Sequence, residues 1–347
     1  MKLSRETIED IENFVARSET SLSPYAIEKD FFVFQAIDAV SALNAETESE
    51  FRLVFCGGTC LEKAYGILGR MSEDIDFKVV PTDDCEGLSK SSLRRKLGDF
   101  AEMVSDQLST LDFEPERKSR DENRYSVFRI PYQSGFARPG TFRQELLLEL
   151  NFTSLTRPES IQKAGYLFDK LTTGEYSSPV HLPCVSIEEA FVEKLVSFPR
   201  RLAMDLARNS GTLSDRWDET LVRHLYDISR IRTFSEGSIN DRSVLGDIFL
   251  QVIKKDSSEF ASQHPEFLAN FKGEIALAME AAKRLPAIRE QYDDFISNMV
   301  FAQDGEIPTF DQAISNFSRE IDALISDEVL EPALFEEDDD AHSSFEP

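Results

Sequence analysis

The sequence has little that would suit an oxidising compartment, a nucleic-acid coat or a membrane. Its four cysteines, Cys56, Cys60, Cys85 and Cys184, fall at no spacing that pairs them as a zinc site or a disulfide framework. Basic residues are scarce: 38 Lys+Arg against 64 Asp+Glu leave a net charge of −26, which excludes a uniformly basic nucleic-acid coat and a polybasic membrane anchor. No apolar run reaches the roughly 18 residues that cross a bilayer. The opening MKLSRETIEDIENF turns polar and acidic at once and lacks the apolar centre of a signal peptide. A reduced, cytoplasmic protein without membrane contact is expected.

What is there suffices for a core and two domains: 347 residues, 41% hydrophobic and 10% aromatic. The charge is uneven. Residues 233–347 hold 25 acidic and 8 basic side chains, whereas windows 115–165 and 194–232 each carry a net +3. A polyanionic ligand would meet those windows rather than the C-terminal third. The tail 335–347 is acidic and expected to be disordered.

Ser4 and Ser23-Pro24 are placed to start helices reaching about Arg17 and Leu43. Phe51 to Cys56 predicts a buried strand, Cys60 to Tyr65 a helix, Asp74 to Val80 a second strand, and 89–109 an amphipathic helix. Strand patterns follow from 112 to 153, and 155–182 is the natural connector. Ser186-Ile-Glu-Glu189 has the form of a capping box, after which helical periodicity runs to about 329. The fold class is therefore α+β or α/β: a mixed β-sheet flanked by helices over 1–178, then a helical domain over 179–334.

The segment from Val54 to Phe77 carries the chemistry. A strand delivers the chain to Gly57-Gly58-Thr59, where absent side chains permit close approach and the following helix start favours an anion. Asp74 and Asp76 stand two apart on a strand, so both carboxylates share a face. Taken singly, a Gly-Gly pair is usually a turn and an Asp-x-Asp pair is usually solvated. Together they form a hard oxygen site for Mg²⁺ (or Mn²⁺) that substrate phosphates complete, as phosphoryl or nucleotidyl transfer requires.

Gly57-Gly-Thr-x-Leu-x-Lys63-Ala-Tyr-Gly, followed by Arg70-x-Ser-Glu-Asp-Ile-Asp76, resembles the signature of the AbiEii/AbiGii nucleotidyltransferase toxins of the DNA polymerase β-like superfamily. Glu28-Lys-Asp30, Phe191-Val-Glu-Lys194-Leu with Arg200-Arg201, and Arg223-His-Leu-Tyr-Asp227 are similar to further family landmarks, in order over about 25–232. The resemblance implies a nucleotidyltransferase domain followed by a helical one, with NTP and metal held between them. Gly57, Gly58, Thr59, Lys63 and Arg201 would bind the nucleotide, and Asp74 and Asp76 the metal. Glu149 would be the third metal-ligand carboxylate. Lys194 would hold phosphate and stabilise the transition state, and Asp227 would position it or the acceptor. Arg223, one turn before Asp227, is the competing partner for that carboxylate. Glu73, on the opposite strand face from Asp74, is expected at a cap or in solvent. Cys60 departs from the hydroxylic residue usual there, Met71 from the usual aromatic or similar apolar residue, and 202–222 is expected to form a loop at the site.

The implied role is the toxin of a type IV toxin–antitoxin or phage-defence (abortive infection) pair. The implied partners are NTP, a cognate antitoxin encoded nearby and an acceptor such as the tRNA 3′ end. Transfer to a protein hydroxyl and a catalytically silent binding scaffold are the alternatives.

Overall fold

The computed structural model describes residues 2–326 except 18–19, 46–49, 86, 141, 236, 238, 260–262 and 304. The acidic tail expected over 335–347 lies outside the described residues, as does the expected end of the last helix. The chain divides into two compact units, Met1–Ser186 with Asp294–Ile307, and Ile187–Asp293 with Pro308–Pro347.

The first unit begins with α1 (Arg5–Ala16) and α2 (Pro24–Ser41), started by Ser4 and Ser23 as expected: each hydroxyl accepts a first-turn N–H, Thr7 and Ala26. Then come β1 (Phe51–Cys56), α3 (Gly57–Lys63), β2 (Asp74–Pro81) and α4 (Lys90–Ser109). The strand-like stretch resolves into β3 (Glu116–Arg120), β4 (Tyr125–Pro131) and β5 (Glu145–Phe152). The expected connector is not a linker. It holds β6 (Ser160–Ala164), α5 (Leu167–Thr173) and β7 (Val180–Cys184). Their residues are too few and too polar for the apolar alternation that betrays a strand, since β6 lies at the sheet's rim.

One mixed sheet results, in the order β3-β4-β5-β2-β1-β7-β6. β1 runs antiparallel to β2, whereas β2 and β5 are parallel. Ile75, Phe77, Leu146, Leu148 and Leu150 bury one face at the sheet's centre. Alternation therefore turns Asp74, Asp76 and Glu149 to the other face, where they are half-buried.

The second unit is helical: α6 (Ile187–Arg208), α7 (Arg223–Phe234), α8 (Arg242–Glu259), α9 (Pro265–Arg284), the first half of α10 (Pro286–Met299) and α11 (Phe310–Ile325). Helix α6 is central, packing on α7, α8, α9 and α11, with Phe198 edge-on to Phe317 at 5.5 Å. It runs on through Arg208, so the loop expected over 202–222 shrinks to the residues between α6 and a short turn at Glu219–Val222. Asp205 ties that loop down by accepting from Ser214 N at 2.9 Å and from the Ser214 hydroxyl.

Candidate active site

The turn after β1 is built by close approach. Gly57 has φ +75°, and a Cβ there would meet Asp76 Oδ2 at 2.1 Å. A Cβ on Gly58 would meet the Arg70 guanidinium at 2.4 Å. Gly57 is thus required by its backbone conformation and by its neighbour, and it brings the turn against a strand carboxylate, while Gly58 lies against the tip of the Arg70 side chain. The helix begins at Gly57, three residues earlier than the pattern of the sequence suggests, with Thr59 buried inside its first turn. The Thr59 hydroxyl donates to the Asp74 carbonyl, fastening the turn to the start of β2.

Asp76 lies beside Glu149 in the β2–β5 register. Tyr125, on β4, donates its hydroxyl to the Glu149 carboxylate; burial and then the Glu149 charge raise the phenol's pKa. The Arg120 guanidinium stacks on the Tyr125 ring at 4.1 Å. Asp74 accepts from Arg143 Nη1. Among the described residues no three His, Cys, Asp or Glu side chains converge as a complete metal cage. Two carboxylates on one face, with a glycine turn leaving room beside one of them, nevertheless suit a hard cation whose remaining ligands come from phosphate oxygens and water. The residues fit Mg²⁺ or Mn²⁺ as a half-site.

Behind this face α2 contributes two buried ion pairs. Lys63 Nζ donates to Asp30 Oδ1 at 2.6 Å and to the Gly165 carbonyl at 3.1 Å. The other Asp30 oxygen accepts from Leu167 N at 2.7 Å. Lys63 is therefore directed into the fold. Lys29 Nζ lies 2.6 Å from Glu73 Oε1, and both side chains are 1% exposed or less. This corrects the expectation for Glu73, which neither caps a helix nor meets solvent. It precedes the first residue of β2, so strand alternation does not govern it. Burial pushes the Lys29 pKa down and the Glu73 charge opposes that shift.

On the second unit, Lys194 Nζ of α6 pairs with Asp227 Oδ2 of α7 at 2.9 Å, and Asp227 is fully buried. The late-helix aspartate is thus an ion-pair partner of the lysine. Arg200 is directed to Asp256 at 2.7 Å, while the more exposed Arg201 meets Asp218 at 2.9 Å. Cys60 and Met71 are both buried.

A family model described as nucleotidyl transferase AbiEii toxin, type IV TA system, matches residues 40–316. The chain belongs to the AbiEii family. It is a nucleotidyltransferase of the toxin class found in type IV toxin–antitoxin systems. Among solved structures it is similar to MenT4, a nucleotidyltransferase toxin from Mycobacterium tuberculosis H37Rv, at 20% identity and a TM-score of 0.46, over 93% of this chain and 98% of that one. No curated protein matches the sequence.

Several residues of this AbiEii chain's site escape sequence reasoning. Arg70 sits inside the family signature and could have been singled out there. Tyr125 and Arg143 could not: only the strand order β4-β5-β2 brings them to Glu149 and Asp74, and no spacing in the chain announces that pairing. The Lys29–Glu73 pair joins residues 44 apart and leaves no local pattern either.

Proposed function

We propose that the protein transfers a nucleotide from an NTP to an acceptor hydroxyl in a reaction that depends on Mg²⁺ or Mn²⁺. The acceptor oxygen forms a bond to the α-phosphorus, the bond from that phosphorus to the β-phosphate oxygen breaks, and pyrophosphate leaves. The support is the approach of Asp76 to Gly57: the turn suited to phosphate and the carboxylate face suited to metal are one surface. Asp74 and Asp76 would hold the cation. A divalent ion there neutralises charge that builds on the transferring group.

Each remaining residue takes a role its chemistry allows. Gly57 and Gly58 keep the turn bare for a phosphate, and Thr59 fastens it through the Asp74 carbonyl. Glu149, beside Asp76 in the sheet, completes the carboxylate face as the third metal-ligand carboxylate. Lys63, paired with Asp30, positions α3 rather than touching substrate. Lys194 is assigned the phosphate cation, with Asp227 fixing its ammonium. Arg201, the more exposed arginine of its pair, is assigned to nucleotide phosphate.

RNA, including the tRNA 3′ end, is the favoured acceptor, acting in the cytoplasm within a toxin–antitoxin or phage-defence setting. A hollow of about 410 Å³ on the first unit is lined by Lys90, Arg94 and Arg95 together with Ser91, Glu122 and Asn123. Among the described residues no ion pair engages those three cations, in a chain where acids outnumber bases 64 to 38. An RNA backbone is the partner such a patch suits.

The test is a transfer assay with purified protein, Mg²⁺ or Mn²⁺, each α-labelled NTP in turn and total tRNA. The Asp74→Asn, Asp76→Asn double variant runs beside the wild type. Label on RNA with wild type alone is the expected result. Ribonuclease-resistant label in a protein band would move the acceptor to a protein hydroxyl, and no label anywhere would overturn the assignment.

A further inference from the structure

Residue 143 is held with unusual completeness for a position just outside a strand. Its N–H donates to Glu73 Oε1 at 2.9 Å, and its carbonyl accepts from Lys29 Nζ at 2.8 Å and from the Tyr25 hydroxyl at 2.9 Å. The Lys29–Glu73 pair closes this ring at 2.6 Å. A buried lysine–glutamate pair seldom adds stability over apolar residues of the same volume, because desolvating both charges offsets their attraction. Here it fixes one peptide unit. What projects from that unit is a guanidinium, a third exposed, that donates to Asp74.

Asp74 is also one of the two carboxylates assigned to the metal, and the same oxygens cannot serve a guanidinium and a divalent cation at full strength. We infer that Arg143 neutralises Asp74 in the metal-free protein and passes to the triphosphate when metal and nucleotide arrive. The inference rests on the proposed role of Asp74. A metal taking over the carboxylate leaves the guanidinium beside the phosphate oxygens that complete the metal's shell. A planar, bidentate donor is suited to receive them. Arg143 is then a substrate-binding residue, while Lys29 and Glu73 are positioning residues that act through its backbone.

The two positions of Arg143 give effects of opposite sign, which a merely structural arginine would not. Mn²⁺ binding is titrated without nucleotide, following the resonance signal of free Mn²⁺, on the full chain as wild type, Arg143→Gln, Arg143→Lys and Asp74→Asn. KM for labelled NTP is measured at saturating Mn²⁺. Arg143→Gln should bind Mn²⁺ about tenfold tighter than wild type and raise KM by about tenfold or more, the scale of a close charge pair. Arg143→Lys keeps the cation and should stay near wild type in Mn²⁺ affinity. Unchanged or weaker Mn²⁺ binding in Arg143→Gln, with binding lost in Asp74→Asn, would overturn the exchange and leave the metal assignment standing. Mn²⁺ binding that survives Asp74→Asn would overturn both.

Discussion

The carboxylate of Asp76 occupies the space that a side chain on residue 57 would need. Gly57→Ala sets a methyl 2.1 Å from Oδ2 and asks alanine to adopt φ +75°. The variant should lose about 1–3 kcal/mol of stability from the backbone alone. Nucleotide transfer should fall further than that loss explains, because the strand carboxylate is displaced. Urea denaturation and the transfer assay together check this.

Asp74→Asn and Asp76→Asn remove charge without changing shape. Each should lower transfer by at least about 100-fold, the scale for losing one group that stabilises developing charge. Because both side chains are half-buried on an open face, the melting temperature should stay close to wild type. A loss of activity that tracked unfolding would speak against a role in the reaction.

Lys194 and Asp227 make a buried pair at 2.9 Å. Lys194→Met leaves a carboxylate inside the helical unit without its lysine, at a cost of about 3–5 kcal/mol. Lys194→Met with Asp227→Leu should recover much of that stability while activity stays absent. Urea midpoints for the two singles and the double separate the structural share of the pair from its chemical share.

Tyr125 provides a pH signature. Its pKa is raised in the folded protein, first by burial and then by the Glu149 charge. The folded state therefore keeps the phenol proton after the unfolded chain has lost it. The stability this gives is fully present below about pH 10, the ordinary phenol value, and declines as pH rises through the folded pKa, by about 1.4 kcal/mol per pH unit. Tyr132, Tyr176 and Tyr292 are shifted in the same direction, so wild type should fall steeply. Tyr125→Phe should fall less steeply by one proton. Denaturation at pH 8, 9, 10 and 11 reads the difference.

The basic hollow gives a salt signature. Arg94→Glu with Arg95→Glu should weaken RNA binding and lower the slope of log affinity against log salt by about 2, one for each phosphate no longer neutralised. Mn²⁺ binding should be unaffected. An unchanged slope would exclude this surface from RNA binding.

How much of this was legible along the chain depended on how local each feature is. Gly57-Gly58 and the Asp74–Asp76 pair sit within a 20-residue stretch, and their faces follow from alternation, so turn and carboxylates could be placed without the fold. The helix caps at Ser4 and Ser23 are equally local. The connector over 155–182 was opaque because β6, at the rim, and β7, beside it, are short strands whose identity comes from pairing with each other and, for β7, with β1. Glu73 was misjudged because strand alternation was carried one residue past the strand's beginning. Arg143 was invisible because its partners Asp74 and Lys29 lie about 70 and 114 residues away.

The family match begins at residue 40, and α2 ends at Ser41. A fragment that begins at residue 40 and keeps everything after it would contain every residue of the Gly-Gly-Thr and Asp-x-Asp signature. It would also lack Lys29 and Asp30, leaving Glu73 and Lys63 as buried charges with their counter-ions amputated. The smallest piece able to fold is therefore longer than the smallest piece able to be recognised. Residues 1–41, supplied as a separate peptide, should restore such a fragment by completing its charge balance from outside.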